Sequence, residues 1–121
     1  PKYVPVWQVT PPILAVSAPT TVTSSSVSVK GQASDDKEVR DVFISVWNRD
    51  AKMPARKVFY LRNSADPRKV TFSADVPLWP GTNLIQVFAR ETNEVQSMQT
   101  LYVRRAEAPM AEANQQAPSK R

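Results

Sequence analysis

The side chains that most often do chemistry are missing from this sequence, which has no histidine and no cysteine. That removes the commonest general base, the commonest transition-metal ligand, the thiolate nucleophile and any disulfide. Serines remain, most visibly Ser24-Ser25-Ser26. A serine nucleophile needs a base, no lysine is paired by spacing with a particular serine, and no Gly-x-Ser-x-Gly elbow occurs. The run reads as a polar loop ahead of a strand. The two glycines, Gly31 and Gly81, cannot build a phosphate-cradling loop. The expected catalytic set is empty: the chain is read as no enzyme, with no cofactor and no resident metal.

Carboxylates offer the next possibility. Asp35-Asp36, with Glu38 or Asp41, could coordinate Ca²⁺. Calcium takes about 6 to 8 oxygen ligands, and the spaced Asp-x-Asp-x-Asp pattern is absent. An Asx turn joining two strands is the favoured reading. Asp75, Glu91 and Glu94 read as charges at strand edges.

Aromatic residues are the stronger lead. If Val42, Ile44 and Val46 face a core, Phe43 and Trp47 face away from it. Leu84 and Phe88 share that outward parity against Ile85, Val87 and Ala89, and so does Tyr102 against Leu101 and Val103. Phe43, Trp47, Phe88 and Tyr102 are thereby expected on one outer surface, the candidate partner-binding patch, with Arg40 and Arg90 as its charged rim. The alternatives are that residues 3–7 or the C-terminal tail cover this patch in cis, or that a bulge in one strand breaks the parity. Trp79 is a further candidate: an exposed ring for a sugar or a protein, or a cap on one end of the fold.

These side chains need strands to align them, and the pattern supplies seven. Short alternating segments bounded by turn residues run over 13–16, 26–33, 40–47, 56–61, 69–76, 83–90 and 97–104. Gly31, inside the second segment, marks a bulge or a close approach. No stretch sustains a 3.6-residue apolar period. Strands without intervening helices point to an all-β, immunoglobulin-like β-sandwich of about seven antiparallel strands. In that arrangement the third, sixth and seventh strands are sheet neighbours, which is what gathers the aromatic patch. Between the fifth and sixth strands, Pro80 presets one turn position and Gly81 supplies the positive φ of the next. Asn83 follows, and its amide can bond backbone across the turn.

Composition limits the rest. Apolar residues make up 41% of the 121, enough for one domain with a real core. No apolar run approaches the roughly 20 residues of a membrane span. The charge of +5 is spread rather than striped, which argues against nucleic acid. Residues 1–11 read as a proline-rich linker or edge segment, 12–105 as the sandwich, and 106–121 as a disordered tail. Starting at Pro1, the chain is expected to be a fragment or processed product, with any signal peptide upstream.

Gly31-Gln32-Ala33-Ser34-Asp35-Asp36, Val39-Arg40-Asp41-Val42 and Pro80-Gly81-Thr82-Asn83-Leu84-Ile85 resemble bacterial Ig-like domains of multidomain secreted proteins. Lys57-Val58-Phe59-Tyr60, Ala89-Arg90-Glu91 and Leu101-Tyr102-Val103-Arg104 resemble, more narrowly, the C-terminal Ig-like module of proteobacterial carboxyl-terminal processing (tail-specific) peptidases. The likeness covers residues 11–105. Fibronectin type III domains carry a tyrosine corner where Asn83 stands, so this chain departs from them. The resemblance implies a non-catalytic accessory module, periplasmic, in the cell envelope or secreted. Those peptidases act through a serine and a lysine in a separate domain whose motifs are not in this sequence, so no catalytic residue carries over. The expected function is interaction or positioning, with a protein partner or the parent's own catalytic domain. The alternative is a carbohydrate- or peptidoglycan-binding domain.

Overall fold

The computed structural model describes residues 10–51, 54–63 and 66–107. Eight strands follow one another: β1 (Ile13–Ser17), β2 (Thr21–Val22), β3 (Ser26–Ser34), β4 (Asp41–Asn48), β5 (Arg56–Arg62), β6 (Lys69–Pro77), β7 (Gly81–Arg90) and β8 (Gln96–Arg105). They form a three-stranded sheet in the order β1-β3-β6 and a five-stranded sheet in the order β2-β8-β7-β4-β5. No helix among the described residues is long and apolar enough to cross a membrane. The seven expected segments recur as β1 and β3 to β8, their ends moved by at most two residues.

The expectation of antiparallel strands throughout needs correcting at β2. This strand runs parallel to β8, with Thr21 opposite Arg104 and Val22 opposite Arg105, so the larger sheet is mixed. Two residues carry no readable period, and the flanking Pro19-Thr20 and Thr23-Ser24-Ser25 look like loop. The pairing is held by two backbone bonds, in which the amides of Arg104 and Ala106 donate to the carbonyls of Thr20 and Val22. Through β1 and β2 the chain passes from the edge of one sheet to the edge of the other.

Alternation writes the core. Val27, Val29 and Ala33 of β3 and Val70, Phe72, Ala74 and Val76 of β6 point inward from the smaller sheet. They meet Val42, Ile44 and Val46 of β4, Ile85, Val87 and Ala89 of β7, and Val103 of β8. The two sheets thus enclose one core as a β-sandwich. Branched side chains suit the pleat, and each one fully buried contributes about 1.5–3 kcal/mol. At the open edge, the Ser97 hydroxyl donates to the Pro12 carbonyl, and Gln99 Nε2 to the Leu14 carbonyl at 3.3 Å.

Gly31 is a close approach rather than a bulge, since β3 pairs in unbroken register with both β1 and β6. A Cβ there would run into Cζ of the buried Phe72 ring and lie 2.8 Å from Val16 Cγ1. The Phe72 ring also meets Phe59 across the sandwich, at 6.3 Å between centroids, and has little room to retreat. Gly31→Val is expected to lower stability by about 1–3 kcal/mol through overpacking. Chemical denaturation would show it, and an unchanged midpoint would mean that the ring moves freely.

The β6–β7 corner is closed by amides. Gly81 has φ +99°, as the turn requires. Asn83, fully buried, donates through Nδ2 to the carbonyls of Trp79 (2.9 Å), Gly81 (3.3 Å) and Val103 (3.3 Å). Its Oδ1 accepts from the Trp79 amide at 3.1 Å and from Asn48 Nδ2 at 2.9 Å. Residues 1–9 of the expected linker and 108–121 of the expected tail lie outside the described residues.

Candidate functional site

The outer face of the five-stranded sheet is ordered in rows set by strand register. One row runs Tyr60, Phe43, Phe88, Met98 across β5, β4, β7 and β8. The next is polar: Lys57, Ser45, Gln86, Thr100. The third is Trp47, Leu84, Tyr102. At the other end of the face, Arg62, Asp41, Arg90 and Gln96 share a row.

The four expected residues therefore do lie on one face, but as two pairs. Phe43 and Phe88 stack with centroids 4.6 Å apart and planes 13° off parallel. Trp47 and Tyr102, with Arg49, Thr82 and Leu84, line a shallow concavity of about 150 Å³. Four residues of strand, about 13 Å, separate Phe43 from Trp47 along β4. Trp79 belongs to neither pair. It packs against the core at the β6–β7 corner, with the Arg56 guanidinium 4.7 Å over its ring, which is the capping position.

A bulge shapes this face. Between Ile44 and Ser45 the β4–β5 register slips by one residue, leaving Val58 as the extra residue. Strict alternation from Tyr60 would turn Lys57 inward. The extra residue lets Val58 pack on the core and returns Lys57 to the outer face. Its ammonium sits 4.6 Å from the Phe43 ring centre and 5.5 Å from that of Tyr60. Parity counting from sequence assigned no role to Lys57, Tyr60 or Met98. Tyr60 and Met98 had a signal, their register opposite Phe43 and Phe88, but only known pairing reveals it.

Arg40 and Arg90 are not a free charged rim, as expected from sequence. Asp41, almost fully buried, accepts from Arg90 Nε at 2.8 Å and Nη2 at 2.7 Å, and from the Tyr60 hydroxyl at 2.9 Å. Arg40 Nε stands 3.7 Å from the same carboxylate, and its Nη2 donates to Asn93 Oδ1 at 2.9 Å. Burial alone would raise the Asp41 pKa. The Arg90 and Tyr60 hydrogen bonds and the two guanidinium charges outweigh it and hold that pKa below the ordinary carboxylate range. Arg90 in turn is held more firmly protonated by Asp41. These groups fasten the face to its frame, and among the exposed cations Lys57 and Arg49 stand beside the aromatic pairs.

The acidic turn after β3 is an Asx turn, with the Lys37 amide donating to Asp35 Oδ1 at 2.8 Å. Neither Glu38 nor Asp41 joins Asp35-Asp36. The third carboxylate is Glu91, which sequence reading placed at a strand edge: one oxygen from each of Asp35, Asp36 and Glu91 lies within 4.8 Å of the other two. Burial, then the nearby Asp35, push the Glu91 pKa up. Fifty-five residues of chain hide this grouping, and only the β3–β4 and β7–β8 connections meeting at one end of the sandwich reveal it. Compared with protein-family models, with characterised proteins and with solved structures, the chain matches none.

Proposed function

We propose that this chain is an Ig-like, non-catalytic module that docks a protein partner on the outer face of its five-stranded sheet. The order β8-β7-β4-β5 corresponds to strands G, F, C and C′ of an Ig variable-type sheet and supports the finer fold assignment. The observation that carries the function is exposure: Tyr102 is 66%, Met98 50% and Tyr60 47% exposed, next to the Phe43–Phe88 stack. Large apolar side chains grouped on one face mark interaction surfaces, and aromatic anchors dominate their energetics. Lys57 and Arg49 beside them, with a chain charge of +5, favour a partner with an apolar centre and carboxylates around it. On the sequence resemblance, the module would belong to an exported bacterial protein, in the periplasm, the envelope or outside the cell, and the catalytic part of a processing peptidase would be its partner.

A glycan is the second reading, carried by the concavity of Trp47, Arg49 and Tyr102. Trp79 gives it no support, being packed on the core.

Amide-resolved NMR of the labelled chain, titrated first with the catalytic region of a carboxyl-terminal processing peptidase and then with peptidoglycan fragments, separates the two. Shifts centred on Phe43, Trp47, Phe88 and Tyr102 with the polypeptide are expected, and Tyr102→Asp should weaken that binding at least about tenfold while leaving the fold intact. Shifts with glycan alone would replace the first reading by the second. No shifts on this face with either would overturn both.

A further inference from the structure

We propose that Asp35, Asp36 and Glu91 form a calcium site that ties the two sheets together at one end of the sandwich. Asp35 is only 9% exposed, and its Oδ2 is buried with no hydrogen-bond donor. A buried carboxylate oxygen without a partner is costly; two further carboxylates lie beside it, and Lys37 acts on Glu91 only through space, without an ion-pair contact. Among the described residues the ion pairs are those of Asp41, so no lysine or arginine neutralises the group at contact distance. A divalent cation among the three carboxylates would satisfy Oδ2 and cancel most of the charge.

The donor set selects the metal. Three carboxylates, in a chain without histidine or cysteine, suit a hard cation. Mg²⁺ demands near-ideal octahedral geometry and keeps its waters, whereas Ca²⁺ accepts irregular carboxylate sets completed by water. The position gives such an ion mechanical meaning. Asp35 and Asp36 leave β3 of the three-stranded sheet and Glu91 leaves β7 of the five-stranded sheet, so one ion would join them.

The test is calorimetric titration of the whole chelator-treated chain with CaCl₂, and separately with MgCl₂, alongside thermal unfolding. One site is expected, with a dissociation constant of roughly 10⁻⁴–10⁻³ M and weaker binding of Mg²⁺. At about ten times that concentration of Ca²⁺ the melting temperature should rise by several degrees. Glu91→Gln should weaken binding at least about tenfold and remove the thermal gain, while Asp75→Asn, an exposed acid on β6, should change neither. Glu91 is half-exposed, so this variant tests the idea even if Asp35→Asn fails to fold. No heat and no thermal shift at about 10 mM Ca²⁺ would overturn the proposal. Binding unchanged in Glu91→Gln would overturn it too, since the ion would then sit elsewhere. Neither readout involves the docking partner, so this proposal and the preceding one fail separately.

Discussion

Arg90→Ala is expected to lower folding stability by about 3 kcal/mol at neutral pH, and to lose most of that effect in acid. The argument rests on Asp41, whose side chain is 2% exposed against 24% for Arg90. Removing the guanidinium strips two short hydrogen bonds from a carboxylate that burial already disfavours. Breaking one side of a buried pair costs about 3–5 kcal/mol. The Tyr60 hydroxyl and Arg40 stay behind, which keeps the loss at the low end. In the parent chain the folded-state pKa of Asp41 is lowered. Its contribution is therefore complete above the unfolded pKa and is lost as pH falls through the folded value. In the variant burial dominates and the folded pKa rises, so protonation on acidification relieves the native state. The two stability curves converge as pH drops below the ordinary carboxylate range, near pH 4 by the reference value. Urea unfolding of both proteins across that range would show it; parallel curves would mean that Arg90 acts through packing and not through charge.

Asn83→Ala is the other large effect, expected at about 3 kcal/mol, with a melting temperature lower by more than about 10 °C. Five hydrogen bonds meet on this one amide, and the alanine variant takes from the Trp79 amide and the Val103 carbonyl their bonds to this side chain, while Asn48 Nδ2 keeps only its longer bonds to the Trp79 and Pro80 carbonyls. Asn83→Asp keeps the acceptor but loses every donor, and places a charge at a site with no exposure. It should be at least as damaging near neutral pH. A small loss in the alanine variant would show that water or Asn48 closes the corner alone.

The parts of this molecule that repeat with period two are legible in the sequence alone. Val42, Ile44, Val46 and Ile85, Val87, Ala89 wrote both the core and, by parity, the outward direction of Phe43, Trp47 and Phe88. The corner amide of Asn83 was legible too, because a Pro-Gly turn has few ways to satisfy its backbone. What escaped needs knowledge of which distant residues face each other. Glu91 sits beside Asp35 only because two connections converge. Arg90 is spent on Asp41 because they share a rung of the ladder. Asn48 supports Asn83 for the same reason. Lys57 faces outward because of one extra residue, and nothing in the run Lys57-Val58-Phe59-Tyr60 announces a slip. The two-residue β2 is below the length at which any period can be read.

That slip in β5 has an effect on how molecules of this kind behave when crowded. β5 is the last strand of its sheet, and an unpaired last strand invites a strand from another molecule to extend the ladder. Here the ladder is broken at Val58, and Arg56, Lys57 and Arg62 are exposed along the strand. A foreign strand would meet mismatched hydrogen bonds and three positive charges at once. At the opposite margin β2 covers the Arg104–Arg105 end of β8, and the side chains of Ser97 and Gln99 reach across to the Pro12 and Leu14 carbonyls. Fibril-like growth from the β5 margin of the larger sheet is thereby disfavoured, and a partner is steered to approach the sheet broadside.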